Sequence, residues 1–301
     1  MSTICNVLFS GISLSSILLL AALGLSITFG LMRVINMAHG EFLMIGAYTT
    51  YVIQNLFAKH LPDGAFDLYF LVSLVASFAI AFAFGLLLER LVICHLYGRE
   101  TDSLLATWGI SLILQQAARS IFGAANVNVT ASSFLNGNID IAGVTLTYKR
   151  LFIIALVAAC IGGVYILMYR TSFGNKMRAC MQNRDMAQCL GIQTSRIDGI
   201  TFALGSGLAA IAGCALTLLG PIGPTLGANY IVDTFMVVVL GGVGRLVGSV
   251  AGALLIGIPS TIIEFNTTAS IAKALVLLLV IAFLQKKPKG LFTINSRALD
   301  E

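Results

Sequence analysis

The chain has 301 residues, of which 58% are hydrophobic and only 10% are charged, and its mean hydropathy is +0.95. A soluble globular domain carries about 25% charged residues, because its surface must be hydrated. This composition excludes a soluble globular domain and predicts a membrane protein whose surface mostly contacts lipid or another protein. The net charge of +5 is explained by loops that face anionic lipid headgroups, so no nucleic-acid partner is expected.

Long apolar runs, rich in Leu, Ala, Gly and Met, predict helices rather than the alternating strands of a barrel. Nine segments are predicted in chain order: 7–32, 38–57, 68–94, 103–122, 151–170, 197–220, 231–244, 247–264 and 270–285. The segment 231–244 is short for a full crossing and could be re-entrant. The predicted fold is therefore an all-α polytopic bundle of about 8–9 transmembrane helices in a single domain, residues 1–301.

The basic residues orient the chain. The loop from Arg170 to Arg196 holds five of them, and the tail after Leu284 holds four. Loops rich in Lys and Arg stay in the cytoplasm. With both segments inside, 13 basic residues are cytoplasmic, 4 are external, and Arg119 lies within a span. Nine crossings, with the N-terminus outside and the C-terminus in the cytoplasm, satisfy this distribution.

Enzyme signatures are missing from the sequence. It contains no G-x-x-x-x-G-K-[ST] phosphate loop and no H-E-x-x-H metal motif, and its six cysteines form no CxxC pair. Ser206 between two glycines, with His39 as base, has the pattern of an intramembrane serine protease, but small-residue packing explains it better. We predict no catalytic residue, no metal and no enzyme activity; ATP hydrolysis in another chain, or an ion gradient, would drive active transport.

Three polar residues follow the first predicted span. Asn36, His39 and Glu41 lie close together, and Glu41 is the only acid among the first 60 residues. An ionisable group near the membrane is costly, and this makes it a functional candidate. Alternatively, the three residues lie at the cytoplasmic interface, where they stabilise a turn and pair with Arg33. We predict that they form a hinge or inner gate of a transport pathway.

The fourth segment carries a second polar set. Thr107, Ser111 and Gln115 lie near one helical face, because they are spaced by about one turn. Uncharged donors and acceptors suit a small neutral polar solute, which needs hydrogen bonds but no counter-charge. Hydrogen bonding between helices is the competing explanation. These three residues are the predicted lining of the substrate pathway.

Glycine is abundant, and two clusters lie inside apolar segments. They span Gly30 to Gly46 and Gly241 to Gly257, with Arg33 and Arg245 beside the expected breaks. Broken helices in corresponding halves of a chain indicate a transport pathway. Close helix packing through small residues is the alternative.

Two loops stand out between the segments. The external loop 123–147 is polar and poor in charge, which suits either a solvated connector or a docking surface. The cytoplasmic loop, about 170–196, contains apolar residues at helical spacing, and Gly191 is placed to end that helix. A short amphipathic helix here would lie on lipid headgroups or insert into a groove on a soluble partner.

Three motifs resemble those of permeases in the branched-chain amino acid class of bacterial ABC importers. They are INMAHGEFLMIGAY (Ile35–Tyr48), the cytoplasmic loop Arg170–Ile192, and VVLGGVGRLVGSVAGALLIG (Val238–Gly257). The resemblance extends from about residue 7 to residue 293. Three further segments are similar to the urea permease branch specifically: Ala106–Val129, Thr201–Gly220 and Asn229–Gly244.

The resemblance implies an assembly in the bacterial inner membrane. This chain would pair with a second, homologous permease; two ATP-binding subunits, which hold ATP and Mg, would dock beneath, and an extracytoplasmic solute-binding protein would deliver the solute. The cytoplasmic loop then becomes the ATPase-coupling segment. Its expected contact residues are Gly174, Met177, Arg178, Met181, Asn183, Met186, Leu190 and Gly191.

The substrate has more than one interpretation. The urea branch implies urea or a similar small neutral amide, and the hydroxyls and amides of the fourth segment favour it. The alternative is a branched-chain amino acid, whose two charges would both need compensation. A channel or an ion-coupled transporter, which would work without any ATPase, is the remaining alternative.

Overall fold

The computed structural model describes residues 2–32, 34–60, 66–97, 99–141, 144–244, 246–287 and 290–292. Over these ranges the chain is almost entirely helical. The helices are α1 (Ser2–Met32), α2 (His39–His60), α3 (Tyr69–Leu91), α4 (Glu100–Phe122), α5 (Tyr148–Arg170), α6 (Ser172–Gln182), α7 (Arg184–Cys189), α8 (Thr194–Leu216), α9 (Leu226–Gly241), α10 (Leu246–Asn266) and α11 (Ala269–Lys286). Short 3₁₀ turns cover Ile93–His95 and Ser133–Leu135.

Each predicted apolar segment falls on one helix, namely α1 to α5 and α8 to α11. In the described part of the chain, six helices are long and apolar enough to cross a membrane: α1, α3, α5, α8, α10 and α11. α9 has only 16 residues, and α2 and α4 carry more polar residues. Length and composition therefore do not assign these three helices as crossings, and the number of crossings and the orientation of the termini stay predictions.

The loop 123–147 contains a small sheet that the sequence did not predict. β1 (Asn138–Ile141) and β2 (Val144–Thr147) pair antiparallel, with Asn138 opposite Thr147. Earlier in the same loop, Val127 forms a β-bridge with Ile222, in the connection between α8 and α9. The loop is therefore tied to the bundle by backbone hydrogen bonds, which distinguishes it from a loose solvated connector.

α8 forms the centre of the bundle and packs against α1, α2 and α3. Its glycines and alanines allow unusually close approach, because no side chain separates the backbones. A Cβ atom at Gly213 would lie 1.9 Å from the carbonyl oxygen of Leu43 in α2, and one at Gly46 would lie 2.1 Å from that of Ala210. Close packing, the alternative considered for the first glycine cluster, therefore accounts for Gly46.

The outer helices contact fewer elements. α4 packs on α2 and exposes Leu105, Trp108 and Leu112 on its other side. α5 and α11 are also largely exposed, as expected for helices that face lipid or a partner chain. α4 is consequently the least anchored of the long helices, although its buried face carries the predicted pathway residues.

The two glycine-rich breaks differ. Between α9 and α10, Gly242 and Gly244 have φ values of 94° and 77°, which favour glycine. Between α1 and α2 the described residues are 34–38, which contain no glycine. There the Asn36 side chain accepts a hydrogen bond from the Ala38 N–H at 3.0 Å and so forms the turn. The prediction of a glycine-made first break is therefore wrong, while Arg33 and Arg245 lie outside the described residues.

Candidate functional site

A buried carboxylate lies where the first turn of α2 packs against α4. Glu41 is 1% exposed, and its Oε1 accepts hydrogen bonds from Ser111 Oγ and Gln115 Nε2, each at 2.8 Å. Gln115 Nε2 is also 3.2 Å from Ser111 Oγ, so the three side chains form a closed triangle. We call these three residues the Glu41 cluster. The structure brings together two of the predicted pathway residues and one of the predicted gate residues.

The second carboxylate oxygen of Glu41 is buried without a hydrogen-bond partner among the described residues. It lies beside α9, since a Cβ atom at Gly227 would be 2.8 Å from this oxygen. An unsatisfied buried carboxylate oxygen is energetically costly, and a functional role is one of the explanations for such a group. The helices that meet around Glu41 are α2, α4 and α9, the same three that length and composition leave unassigned as crossings.

Thr107 and Asn36 hold the backbone between α1 and α2. The Thr107 hydroxyl accepts a hydrogen bond from the Met37 N–H at 3.1 Å and donates to the Ser103 carbonyl at 2.8 Å. Asn36 forms the turn through its contact with Ala38. Both side chains are buried. These contacts tie α4 to the break beside the Glu41 cluster.

His39 faces a different helix. Its Nε2 is 3.0 Å from the Ala21 carbonyl oxygen in α1, to which only the Nε2-protonated tautomer can donate. Ser206, the candidate protease nucleophile, donates its hydroxyl proton to the Phe202 carbonyl at 2.9 Å, within α8. A Cβ atom on Gly85 in α3 would lie 2.5 Å from Ser206 Oγ. The Ser206 hydroxyl is thus turned toward α3, whereas His39 is bound to α1, and the two do not form a catalytic pair.

The predicted coupling segment contains two helices rather than one. α6 ends at Gln182, and the Asn183 side chain caps α7 by accepting a hydrogen bond from the Met186 N–H at 3.0 Å. α7 ends at Cys189, and two residues later Gly191 has a φ of 80°, which favours glycine; the Ile192 N–H donates to the Ala187 carbonyl at 3.0 Å. The glycine cap is confirmed, but the single amphipathic helix is wrong, because Asn183 starts a new helix.

The break divides the predicted apolar stripe. Met177 in α6 and Ala187 in α7 are buried against the chain itself, whereas Met186 and Leu190 are 59% and 74% exposed. Gly174 lies under the end of α5, where a Cβ atom would be 2.2 Å from the Met168 carbonyl oxygen. Of the predicted coupling contacts, Met186 and Leu190 are therefore the apolar ones at the surface.

Two other predicted coupling residues bind elements of the bundle. Arg178 donates to the Met168 carbonyl at 2.7 Å and lies 4.8 Å above the Tyr169 ring. Met181 lies near the end of α1, since its Cε would be 2.9 Å from a Cβ atom at Gly30. These contacts fasten α6 to α5 and α1.

A second polar cluster, missed in the sequence analysis, lies at the same end of the bundle. Arg184 Nη2 is 2.5 Å from Asp198 Oδ2, and its guanidinium lies 4.8 Å above the Tyr97 ring. Tyr97 donates its hydroxyl proton to Glu89 at 2.7 Å. Burial, and next the Glu89 carboxylate, raise the pKa of Tyr97, so its hydroxyl remains a donor. The available signal was an acid inside each of two apolar segments, Glu89 and Asp198.

At the opposite end, Lys273 of α11 approaches α9. Its ammonium donates to the Asn229 carbonyl at 2.8 Å and lies 3.2 Å from the Asp233 carboxylate. These residues border a cavity of about 300 Å³. Asp233 is thus paired with a cation.

Comparison with known proteins gives a consistent family. The family model described as "Branched-chain amino acid transport system / permease component" matches residues 7–284. The chain is 30% identical to the high-affinity branched-chain amino acid permease BraD of Pseudomonas aeruginosa over 256 residues, 83% of each chain. It is 30% identical to LivH of Escherichia coli over 289 residues, 91% of this chain and 92% of that one.

A shorter match joins the chain to a permease for a different solute. The ribose import permease RbsC of Bacillus subtilis is 31% identical over 135 residues, 41% of this chain and 42% of that one. No solved structure matches significantly.

The matched range nearly coincides with that of the resemblance read from the motifs. BraD and LivH are named for branched-chain amino acids, so the family is confirmed and the urea assignment stays a prediction. The multi-pass membrane location is also confirmed, since six helices suit a bilayer and the relatives are permeases. The chain is a protein of the bacterial inner membrane and belongs to the family of permease components of branched-chain amino acid transport systems.

Proposed function

We propose that this chain is one permease subunit of an ABC importer for urea or a similar small neutral amide. A second, homologous permease completes the pathway, two partner subunits bind ATP and Mg, and an extracytoplasmic protein delivers the solute. ATP binding in the partner subunits drives alternating access. Membership of the permease family supports this assembly, as does a sequence without a phosphate loop.

The Glu41 cluster is the observation that supports a neutral amide. The side-chain amide of Gln115 donates to the Glu41 carboxylate at 2.8 Å, and urea carries the same N–H₂ donor. An arriving amide can therefore replace Gln115 at Glu41 without any new charge in the site. Each hydrogen bond to a charged group contributes about 1.5–3 kcal/mol, enough to orient a small solute transiently.

The arrangement of helices supports a gate at this point. α4 supplies both donors to Glu41 and packs on α2. When α4 moves away from α2, Glu41 loses both donors and its carboxylate becomes available. A solute that brings its own N–H groups then compensates for this loss. The hydrogen bonds of Thr107 and Asn36 at the α1–α2 break support a hinge there.

A branched-chain amino acid is the second candidate, and the names of BraD and LivH favour it. Its carboxylate needs a cation or a helix N-terminus, and its ammonium group needs an acceptor. Glu41 supplies an acceptor for the ammonium group. In the described part of the chain, however, the donors to Glu41 are a hydroxyl and an amide, and neither is a cation. The partial match to a ribose permease shows that a related sequence is named for a neutral solute, and this supports a neutral solute here.

Uptake in cells tests the proposal. The gene is deleted, and uptake of labelled urea and labelled leucine is compared after restoring wild type, Glu41→Gln, Gln115→Leu or Gln116→Leu. Gln116 is the matched control, because it is the neighbouring glutamine on the exposed side of α4. We expect the deletion to abolish urea uptake only. Glu41→Gln and Gln115→Leu should lower it by about tenfold or more, as expected from one lost charged hydrogen bond, whereas Gln116→Leu should restore it.

The alternatives predict different results. Loss of leucine uptake instead of urea uptake would change the substrate assignment to a branched-chain amino acid and leave the family assignment unchanged. Urea uptake that persists without the ATPase subunits would indicate a channel or an ion-coupled transporter. Equal urea uptake in the Gln115→Leu and Gln116→Leu strains would show that the Glu41 cluster does not line the pathway.

A further inference from the structure

The cluster at the end of the bundle near α7 joins three elements through two buried acids and one base. Asp198 at the start of α8 is 0% exposed and Glu89 at the end of α3 is also buried. Arg184 at the start of α7 contacts Asp198 directly and stacks on Tyr97, which donates to Glu89. We call these four residues the Arg184 cluster.

α7 has few polar contacts with the bundle. Arg184 holds its first residue to α8, and Gln188 Nε2 lies 2.9 Å from Thr194 Oγ1, also in α8. On its outer side, α7 exposes Met186 and Leu190. α7 is therefore a short element with an exposed apolar side and a charged attachment to the central helix.

From α8 a rigid contact continues to the Glu41 cluster. The backbones of α8 and α2 touch at Gly213 and Gly46, where no side chain can absorb a displacement. α2 begins at His39 and carries Glu41 in its first turn. A shift of α8 is therefore passed to α2, because close-packed backbones move together rather than slide.

We propose that Arg184 is the positioning residue that transmits the movement of α7 to α8 and thereby to the Glu41 cluster. The inference rests on the proposed function and on the prediction that partner ATPases contact the coupling segment. The physical reason is the burial of Asp198. Withdrawing Arg184 would leave this carboxylate buried and unpaired, which is strongly unfavourable. α7 and α8 therefore move as one unit.

The alternative is a purely structural ion pair. Asp198 Oδ1 has no hydrogen-bond partner among the described residues, so Arg184 satisfies only one of the two carboxylate oxygens. Such an incompletely satisfied pair contributes little net stability compared with apolar side chains of similar size. Removing Arg184 alone leaves Asp198 buried and unpaired, which also destabilises the fold. The ratio of solute transported to ATP hydrolysed, rather than the amount of folded protein, therefore distinguishes transmission from a structural role.

The test uses the complete transporter in proteoliposomes, with solute uptake and ATP hydrolysis measured on the same preparation. Arg184→Gln is compared with Arg90→Gln, which removes an exposed arginine next to Glu89. We expect Arg184→Gln to assemble with the ATPase subunits and keep hydrolysing ATP, while the solute transported per ATP hydrolysed falls at least tenfold. Arg90→Gln should match wild type. The exchanged pair Arg184→Asp with Asp198→Arg should recover at least a third of the wild-type ratio.

Several results would overturn the proposal. One is a ratio for Arg184→Gln within twofold of wild type. Another is a parallel fall in uptake and hydrolysis, which fewer assembled complexes would produce. If Arg184→Gln does not assemble with the ATPase subunits, the variant with the exchanged pair is the test. Its assembly with a recovered ratio of solute transported to ATP hydrolysed supports transmission through Arg184, and any other result refutes it. The ratio of solute transported to ATP hydrolysed is measured with the solute that the wild-type transporter carries. If the proposed substrate is wrong, the wild-type uptake rates show it. If the proposed role of Arg184 is wrong, only the ratio for its variants shows it.

Discussion

The contact between α8 and α2 gives a sharp prediction for a single methyl group. In Gly213→Ala, the new Cβ atom would lie 1.9 Å from the Leu43 carbonyl oxygen, 2.6 Å from its carbon and 2.8 Å from the Leu43 Cα. All three are backbone atoms, so no rotamer change relieves the overlap. The two helices must separate, or one of them must bend.

The size of the effect follows from the distances. An ordinary contact of carbon and oxygen needs a separation of roughly 3.3 Å, so the backbones must move apart by about 1 Å or more. A gap of that size loses a quarter to a half of the dispersion energy along the contact, by order of magnitude. Overpacking a close-packed interior costs about 1–3 kcal/mol. Because backbone is involved, we expect the upper end, about 3 kcal/mol, and a fall in melting temperature of roughly 5 °C.

The assay is thermal unfolding of the chain in detergent, followed by tryptophan fluorescence and by the loss of monodisperse protein. Gly163→Ala is the matched control: it lies in exposed α5, and its Cβ atom would have nothing within 4 Å. The control should leave the melting temperature unchanged or raise it slightly, since alanine favours a helix over glycine by about 0.5–1 kcal/mol. A Gly213→Ala protein that melts within 1 °C of the control variant would show that α2 and α8 are not in backbone contact.

Three further predictions concern local contacts. Asn183→Ala removes the cap of α7 and should cost about 1 kcal/mol locally; amide hydrogen exchange across α7 should accelerate about fivefold, whereas Asn183→Asp should not change it. Gly191→Ala places a side chain at a φ of 80°, which costs about 1–2 kcal/mol. Amide hydrogen exchange at Ile192 should become faster, whereas exchange in α5 should not change. Lys273→Met leaves Asp233 without its cation; because Lys273 is 49% exposed, solvent screening limits the loss to about 0.5 kcal/mol, and high salt should abolish the difference in melting temperature.

Some features of the site were readable from local spacing. Ser111 and Gln115 are four residues apart, so any helix places them on one face, and an acid in an apolar stretch needs donors. The sequence therefore identified both sides of the Glu41 cluster, although it assigned Glu41 to a separate gate. Their contact, across 70 positions of the chain, is a tertiary one.

The mistaken expectations have local physical causes. Glycine content predicted the first break, but an asparagine side chain makes that turn instead. Apolar spacing through 177–190 predicted one amphipathic helix, and the capping strength of Asn183 divides it. In both places a side chain that hydrogen-bonds the backbone outweighs a pattern that depends on hydrophobicity alone.

The sequence by itself determined that the chain is a helical membrane protein, where its long apolar helices lie and which permease family its motifs resemble. Those properties follow from composition, apolar run length and local motifs, which act over one or two helical turns or a single span. Only the tertiary structure decided that α8 is central, that α2, α4 and α9 meet at Glu41, and that Arg184 binds Asp198. The reason is that every apolar helix can pack against several others in a membrane. The choice depends on close approach at small residues and on pairing of buried polar groups, both of which join residues far apart in the chain.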